Sequence, residues 1–282
     1  MNKWILGARL RTLPAAIAPV VVATALAGAE WNWVRAALAL KVGVWLQVGV
    51  NYANDYSDGV KGSDDNRIGP TRLVASGLAT AKQVKRAAFI SFGIASIAGL
   101  WLSLLSSPWL ILVGVAAVTA AWGYTGGKNP YGYTGLGEVS VFIFFGLTAT
   151  VGTYYAQTGR VTALSILCAV PMGLLACAIL AVNNLRDRAQ DELVGKRTLA
   201  VRLGDAKARK GFVVLLVIAH LSALATFVPW SILTLAVLPL TISISRAVMS
   251  GASGAELIPL LGRTGKLQMF FGALFAIALA IQ

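Results

Sequence analysis

The sequence predicts an all-α polytopic membrane protein of about nine transmembrane helices around a central cavity, with cytoplasmic cap loops. Three observations predict it. Hydrophobic residues make up 57% of the 282 positions and charged residues only 12%, more apolar surface than a soluble chain of this length can bury. Apolar runs close to the ~20 residues that cross a bilayer as helix recur from end to end. Basic residues concentrate in alternate connections between those runs, as membrane topology requires. Backbone groups in hydrocarbon must be satisfied within the segment, and helices do that.

Taken in order, the spans are expected near 12–29, 34–56, 84–105, 108–125, 138–156, 161–183, 211–228, 231–249 and 265–282. The first follows Lys3, Arg9 and Arg11, with no small-residue cleavage site after it, so it does not read as a cleavable signal peptide. The second runs into an Asp-rich segment, and the connection 57–83 follows. The segment 126–137, Gly-Gly-Lys-Asn-Pro-Tyr-Gly-Tyr-Thr-Gly-Leu-Gly, is a turn-rich loop. The sixth span runs into a second Asp-rich segment at the head of the connection 184–210. Pro229 and Trp230 mark a tight turn between the seventh and eighth spans. The only histidine, His220, and the two cysteines, Cys168 and Cys177, lie inside apolar runs and read as core residues. Lys41 lies inside the second span, where a long side chain reaches for the interface.

With the N-terminus inside, twenty-one Lys and Arg fall in inward segments and two, Arg35 and Arg160, in outward ones. That places the N-terminus and both Asp-rich segments in the cytoplasm of a cell whose plasma membrane the chain crosses. It also accounts for the net charge of +13 without nucleic acid. One domain, 1–282, is expected, built of two weakly related halves, about 1–130 and 131–282. The sign of relatedness is Asn54-x-x-x-Asp58 recurring as Asn183-x-x-x-Asp187, each at the end of a span and ahead of a basic loop. Such symmetry sets two motifs across one cavity.

Seven of the eleven acids lie in the two Asp-rich segments. Carboxylates are costly near hydrocarbon and mark function there. If the second span continues as helix, Asn51, Asp55 and Asp58 share one face. Asn183, Asp187 and Asp191 likewise form nearly one stripe. Hard oxygen donors from two sides suit Mg²⁺ shared with phosphate oxygens. The basic neighbours Lys61, Arg67, Arg72, Arg186, Lys196 and Arg197 suit a diphosphate: Arg forks two oxygens, Lys acts as a point charge. Lys82, Lys85, Arg86, Lys207, Arg209 and Lys210 read instead as headgroup charges. Gly195-Lys196-Arg197-Thr198 is not a phosphate-binding P-loop, because Gln190 stands where its first Gly belongs and no strand precedes it. Tyr124 and Lys128 share a face if the fourth helix continues. The spacing suits an interfacial aromatic and a site residue equally. Glu138, at the start of the fifth span, suits the helix dipole and also stands near the cavity mouth.

These residues together resemble the UbiA superfamily of intramembrane aromatic prenyltransferases, over essentially the whole chain. The superfamily pattern is Asn-x₃-Asp-x₃-Asp in each half with Tyr-x₃-Lys between. Asn183, Asp187 and Asp191 match the second motif fully, and Tyr124 and Lys128 match the middle one. The first motif matches at Asn54 and Asp58 but has Gly62 in third place, with Asp64 or Asp65 as loop substitutes. The resemblance is closer still to members that act on 1,4-dihydroxy-2-naphthoate in menaquinone synthesis. Asn54–Asp64, Arg67-Ile-Gly-Pro-Thr-Arg72, Gly135-Leu-Gly-Glu138 and Asn183–Gly204 carry that closer likeness.

The resemblance implies Mg²⁺-dependent transfer of a polyprenyl group from an allylic polyprenyl diphosphate, with release of CO₂. It implies Asp58, Asp187, Asp191, Tyr124 and Lys128 as catalytic residues. Metal ligands would be Asn54, Asp55, Asp58, Asn183, Asp187 and Asp191, and Glu138 and Tyr131 would meet the aromatic substrate. Other acceptors, 4-hydroxybenzoate or homogentisate, would use the same diphosphate machinery. A cation-coupled transporter would place its acids at midplane in broken helices, not at span ends beside basic loops.

Overall fold

The computed structural model describes residues 2–63 and 69–282. Asp64, Asp65 and Arg67, expected near the first motif, lie outside the described residues. Among the described residues every regular element is a helix and none is a strand. In chain order the helices are α1 (Lys3–Ala8), α2 (Pro14–Leu26), α3 (Trp33–Val60), α4 (Ala81–Leu105), α5 (Trp109–Gly123), α6 (Gly137–Val141), α7 (Ala149–Thr158), α8 (Ala163–Leu193), α9 (Leu199–Leu224), α10 (Leu238–Met249) and α11 (Leu257–Ala280).

The membrane-spanning architecture is as expected, while length and hydropathy do not confirm the exact count of nine. Among the described residues five helices are long and apolar enough to cross a membrane: 33–60, 81–105, 137–158, 163–193 and 229–249. The bent pair 3–12 and 14–26, turned by 53°, makes a sixth. Three other helices coincide with expected spans but fall short for physical reasons. α5 has only 15 residues. α9 carries Arg202, Asp205, Lys207, Arg209 and Lys210 in its first half, and α11 carries Arg263 and Lys266. These charges lower the mean hydropathy of helices that are nonetheless packed into the bundle.

The bend between α1 and α2 is built from the sequence Arg9–Thr12. Arg9 adopts a left-handed conformation (φ 51°) and its N–H reaches back to Leu6. Thr12 closes a one-turn 3₁₀ segment, and Pro14 starts α2 at the position where a missing N–H costs nothing. Side chains of α3 hold the bend in place. Asn51 donates to the Ala8 carbonyl at 2.9 Å and to the Thr12 hydroxyl at 3.0 Å, and Gln47 donates to the same hydroxyl at 3.0 Å.

α6 and α7 are one rod interrupted by a π-helical turn at Phe142–Thr148. Such turns widen a helix and re-aim its side chains. Here the turn packs on α8 through Gly146 and Gly173, so closely that a Cβ on Gly146 would sit 2.5 Å from the Gly173 Cα. Two apolar cores flank the middle of the molecule. One joins α2, α8, α9 and α11 around Val22, Met172, Leu216, Phe271 and Phe275; the other joins α1, α3 and α4 around Tyr52, Ala53, Leu73, Val84 and Phe92. Cys168 and Cys177 are free and buried, as expected of core residues. His220 is buried, paired with Thr241 at 3.0 Å, with its ring edge-on to Phe271.

Candidate active site

A cavity of about 700 Å³ lies between the two cores. Its long wall is apolar: Val20, Val42, Leu46, Val113, Phe144, Phe145, Ile179 and Leu180. Its polar end gathers Arg9, Arg11, Thr12, Asn51, Asn54, Tyr124, Tyr131, Asn183 and Arg186. An elongated apolar chamber with polar groups at one end suits an amphiphile.

Both motifs are helical, because α3 and α8 run one or more turns beyond the apolar stretches that announced them. The hydrophobic pattern ends near 56 and 183, whereas the helices end at Val60 and Leu193. This corrects the expectation that the second cluster lies in a connection. It also explains Gly62. The chain leaves α3 after Val60 and takes a left-handed turn at Gly62 (φ 69°), where a β-carbon is disfavoured. The equivalent position in the second half, Asp191, is still in α8 and keeps its acid.

One turn beyond cavity-lining Asn54, the buried Asp58 carboxylate accepts from the Tyr133 hydroxyl and from the Lys196 ammonium at 2.8 Å. Arg72 stands 3.6 Å from its other oxygen. The same Lys196 ammonium is 3.8 Å from Asp191. One buried cation thus joins the acid in the last turn of α8 to the acid in the last turn of α3. Beside them, Arg186 forks the Asp187 carboxylate with two bonds of 2.7 Å and reaches the Asn183 amide oxygen at 2.8 Å. Paired, hydrogen-bonded charges are the form in which such groups tolerate burial.

Asp55 has a different task from the one expected of it as a metal ligand. Its two oxygens accept from the backbone N–H groups of Leu73 and Val74, at 2.8 and 3.0 Å, and the residue is fully buried. The carboxylate anchors the returning loop and so presents neighbouring Arg72 to Asp58. Asn54 accepts from the Thr125 hydroxyl at 2.8 Å, and Lys61 caps the Thr125 carbonyl at 3.1 Å. Burial lowers the Lys61 pKa, against an opposing pull from Asp58.

Three further expectations meet a different local geometry. α5 ends at Gly123, so Tyr124 and Lys128 do not share a helix face; Lys128 is exposed while Tyr124 lines the cavity. The Arg197 side chain is exposed, and its backbone N–H is what contacts the site, donating to the Tyr133 carbonyl at 2.8 Å. Glu138 is not among the cavity-lining residues. Its carboxylate takes the Asn184 amide at 3.0 Å. Tyr131 does line the cavity, its hydroxyl shared between the Ala120 carbonyl at 2.8 Å and Ser140 at 2.9 Å. Burial raises the Tyr131 pKa, which keeps it a neutral donor.

Tyr133 was not singled out from the sequence, where it is one aromatic in a Gly-rich loop. Besides holding Asp58, its ring lies under two ammonium groups, Lys61 and Lys196, each 4.6 Å from the ring centre. The aromatic face is an attractive surface for both cations. It keeps two like charges close together beside Asp58.

The residues present fit a hard divalent cation shared with phosphate oxygens. Asp58, Asp187, Asp191 and the amide oxygens of Asn54 and Asn183 are the right donors for Mg²⁺. Among the described residues no three acids gather into an all-protein cage. Lysine and arginine stand between them, as a site completed by a substrate's phosphates requires.

The chain is similar to known proteins over most of its length. The model of the UbiA prenyltransferase family matches residues 16–256. The 1,4-dihydroxy-2-naphthoate octaprenyltransferase of Mycobacterium tuberculosis is 49% identical, over 99% of this chain and 97% of its own. The enzyme of the same name from Mycobacterium leprae is 47% identical, over 99% and 96%. Among solved structures, a UbiA homolog from Archaeoglobus fulgidus bound to DMAPP and Mg²⁺ shares the fold, with a TM-score of 0.65 at 15% identity over 99% of each chain.

Proposed function

The chain belongs to the UbiA prenyltransferase family, and on that premise we propose its reaction. It is a multi-pass membrane enzyme that transfers a polyprenyl group from an allylic polyprenyl diphosphate to 1,4-dihydroxy-2-naphthoate. Diphosphate and CO₂ leave, and demethylmenaquinol is formed for menaquinone synthesis. The observation that carries this reading is the meeting of Asp58 and Asp191 on one Lys196 ammonium, one helical turn beyond Asn54, which lines the polar end of an apolar cavity.

Asn54, Asp58, Asn183, Asp187 and Asp191 would hold Mg²⁺, which when bound draws charge onto the departing diphosphate. Lys61, Arg72, Arg186 and Lys196 clamp the diphosphate oxygens and stabilise the charge that develops as the allylic C–O bond breaks. The bond's electron pair leaves with diphosphate. The electron-rich ring then forms a C–C bond at its carboxyl-bearing carbon. The C–CO₂ bond breaks, its pair restores the aromatic ring, and no net proton is consumed. Phe144, Phe145, Ile179 and Leu180 exclude water that would otherwise capture the allylic cation. Tyr124 and Tyr131 line the chamber where an aromatic ring would stack or accept a hydrogen bond. Lys128 and Glu138 have no part in this assignment.

We take the chain as one domain of two related halves with the N-terminus and the site facing the cytoplasm. Supporting this are the two similar motif helices, α3 and α8, and the basic loops beside them. The test is a membrane assay with Mg²⁺, radiolabelled polyprenyl diphosphate and either 1,4-dihydroxy-2-naphthoate or 4-hydroxybenzoate. Prenylated naphthoquinol with CO₂ release is the expected result. Product from 4-hydroxybenzoate alone would overturn the acceptor assignment.

A further inference from the structure

The acceptor assigned above is itself an anion: it carries an aromatic carboxylate. A cavity that selects it needs a cation, and Glu138, turned away to Asn184, supplies none. Among the described residues three arginines line the cavity: Arg9, Arg11 and Arg186. The Arg186 guanidinium is given over to Asp187 and Asn183. Arg9 has interactions of its own. Arg11, an exposed residue at the cavity wall, alone makes no side-chain hydrogen bond or ion pair with the described residues.

Its pairing differs from that of the cations assigned to the diphosphate. Arg72, Arg186 and Lys196 are each matched by an acid, the mixture that a metal–diphosphate group completes. Among the described residues no acid forms an ion pair with Arg11, which is the arrangement that suits a bare carboxylate. Its backbone is also held in place. The bend carrying it is fastened to α3 through Gln47 and Asn51, both bonded to Thr12. Its side chain runs past α11 at Gly262, where a β-carbon would lie 3.7 Å from the Arg11 Cδ. A guanidinium on a fastened bend binds with less ordering cost than one on a free terminus.

We propose that Arg11 is the specificity-determining residue for the acceptor, binding the carboxylate of the aromatic substrate. The assignment rests on the prenyl-transfer reading for the identity of that substrate. Once the carboxylate has left as neutral CO₂, the guanidinium has no ion to hold, and product release is eased.

The experiment is equilibrium binding to purified protein in detergent, followed by probe fluorescence. The probes are 1-hydroxy-2-naphthoate and 1-naphthol, which differ by the carboxylate. Wild-type protein is expected to bind the carboxylate about 10- to 100-fold tighter, the range of a charge-assisted hydrogen-bonded pair. Arg11→Gln should erase that preference and leave 1-naphthol binding and the KM for polyprenyl diphosphate within about twofold. Arg11→Lys should restore part of the preference. A preference that persists in Arg11→Gln, or a KM rise for the diphosphate in place of the acceptor, would overturn the inference. So would wild-type protein with no preference, a result that needs no variant to fold. Turnover of 1,4-dihydroxy-2-naphthoate by wild-type protein is a separate arm: its absence defeats the reaction proposed above, whatever the probes show.

Discussion

At the scale of single residues, neighbouring acids in one motif do unlike work. Asp55 and Asp58 are both buried on α3, yet Asp55 spends its oxygens on two backbone N–H groups while Asp58 faces three side chains that carry donors. The sequence states that both are acids near a span end. It does not state which returns to the loop, because that depends on where residues 73 and 74 come back. Asp187→Ala should abolish Mg²⁺-dependent turnover and leave an extractable, folded membrane protein; turnover at the wild-type rate would remove Asp187 from the site. Tyr133 offers a finer dissection. Tyr133→Phe keeps the ring under Lys61 and Lys196 and loses only the bond to Asp58, whereas Tyr133→Leu loses both. The KM for polyprenyl diphosphate should therefore rise further in the leucine variant, by about 5- to 30-fold if each cation–π contact contributes ~0.5–1 kcal/mol. Equal KM values in the two variants would show that the ring holds no lysine in place.

At the scale of elements, the motif helices outrun their hydrophobic pattern. Hydropathy reports where lipid or core contact ends; it is blind to a helix that continues into a polar cap held by its own side chains. Asn54, Asp58, Asn183 and Asp187 recur at a spacing of four, and that is the signal by which the extension was legible. The end of α5 was less so. Gly123, Gly126 and Gly127 stop the helix before Lys128, and Tyr124 is then tied to the next loop by the Gly132 N–H at 3.0 Å. The π-helical turn in the α6–α7 rod has no sequence signature of its own. It is stabilised by close contact with α8 at Gly146 and Gly173. Gly146→Leu should force the rod off α8 and lower the melting temperature in detergent by several degrees, the consequence of an overpacking cost of about 1–3 kcal/mol. An unchanged melting temperature would mean that the two helices separate without cost.

At the scale of the whole molecule, the distribution of charge sets the expected topology. Val161 and Ala206 are both exposed, on segments assigned to opposite sides of the membrane, and the native cysteines are buried. In intact cells a membrane-impermeant maleimide should label Val161→Cys and spare Ala206→Cys; the reverse pattern would invert the proposed orientation. The fold class, the loop charges and the two acid motifs were all determined by the sequence alone. Each rests on local physics: the cost of apolar surface in water, of bare backbone in lipid, and of charge in hydrocarbon. The division of labour among the acids was decided only by the tertiary structure. So were the cation shared by Asp58 and Asp191, the turning of Glu138 away from the cavity, and the place of Arg11 in its wall. Those depend on contacts between segments far apart in the chain, and a local pattern cannot specify which distant partner a side chain will meet.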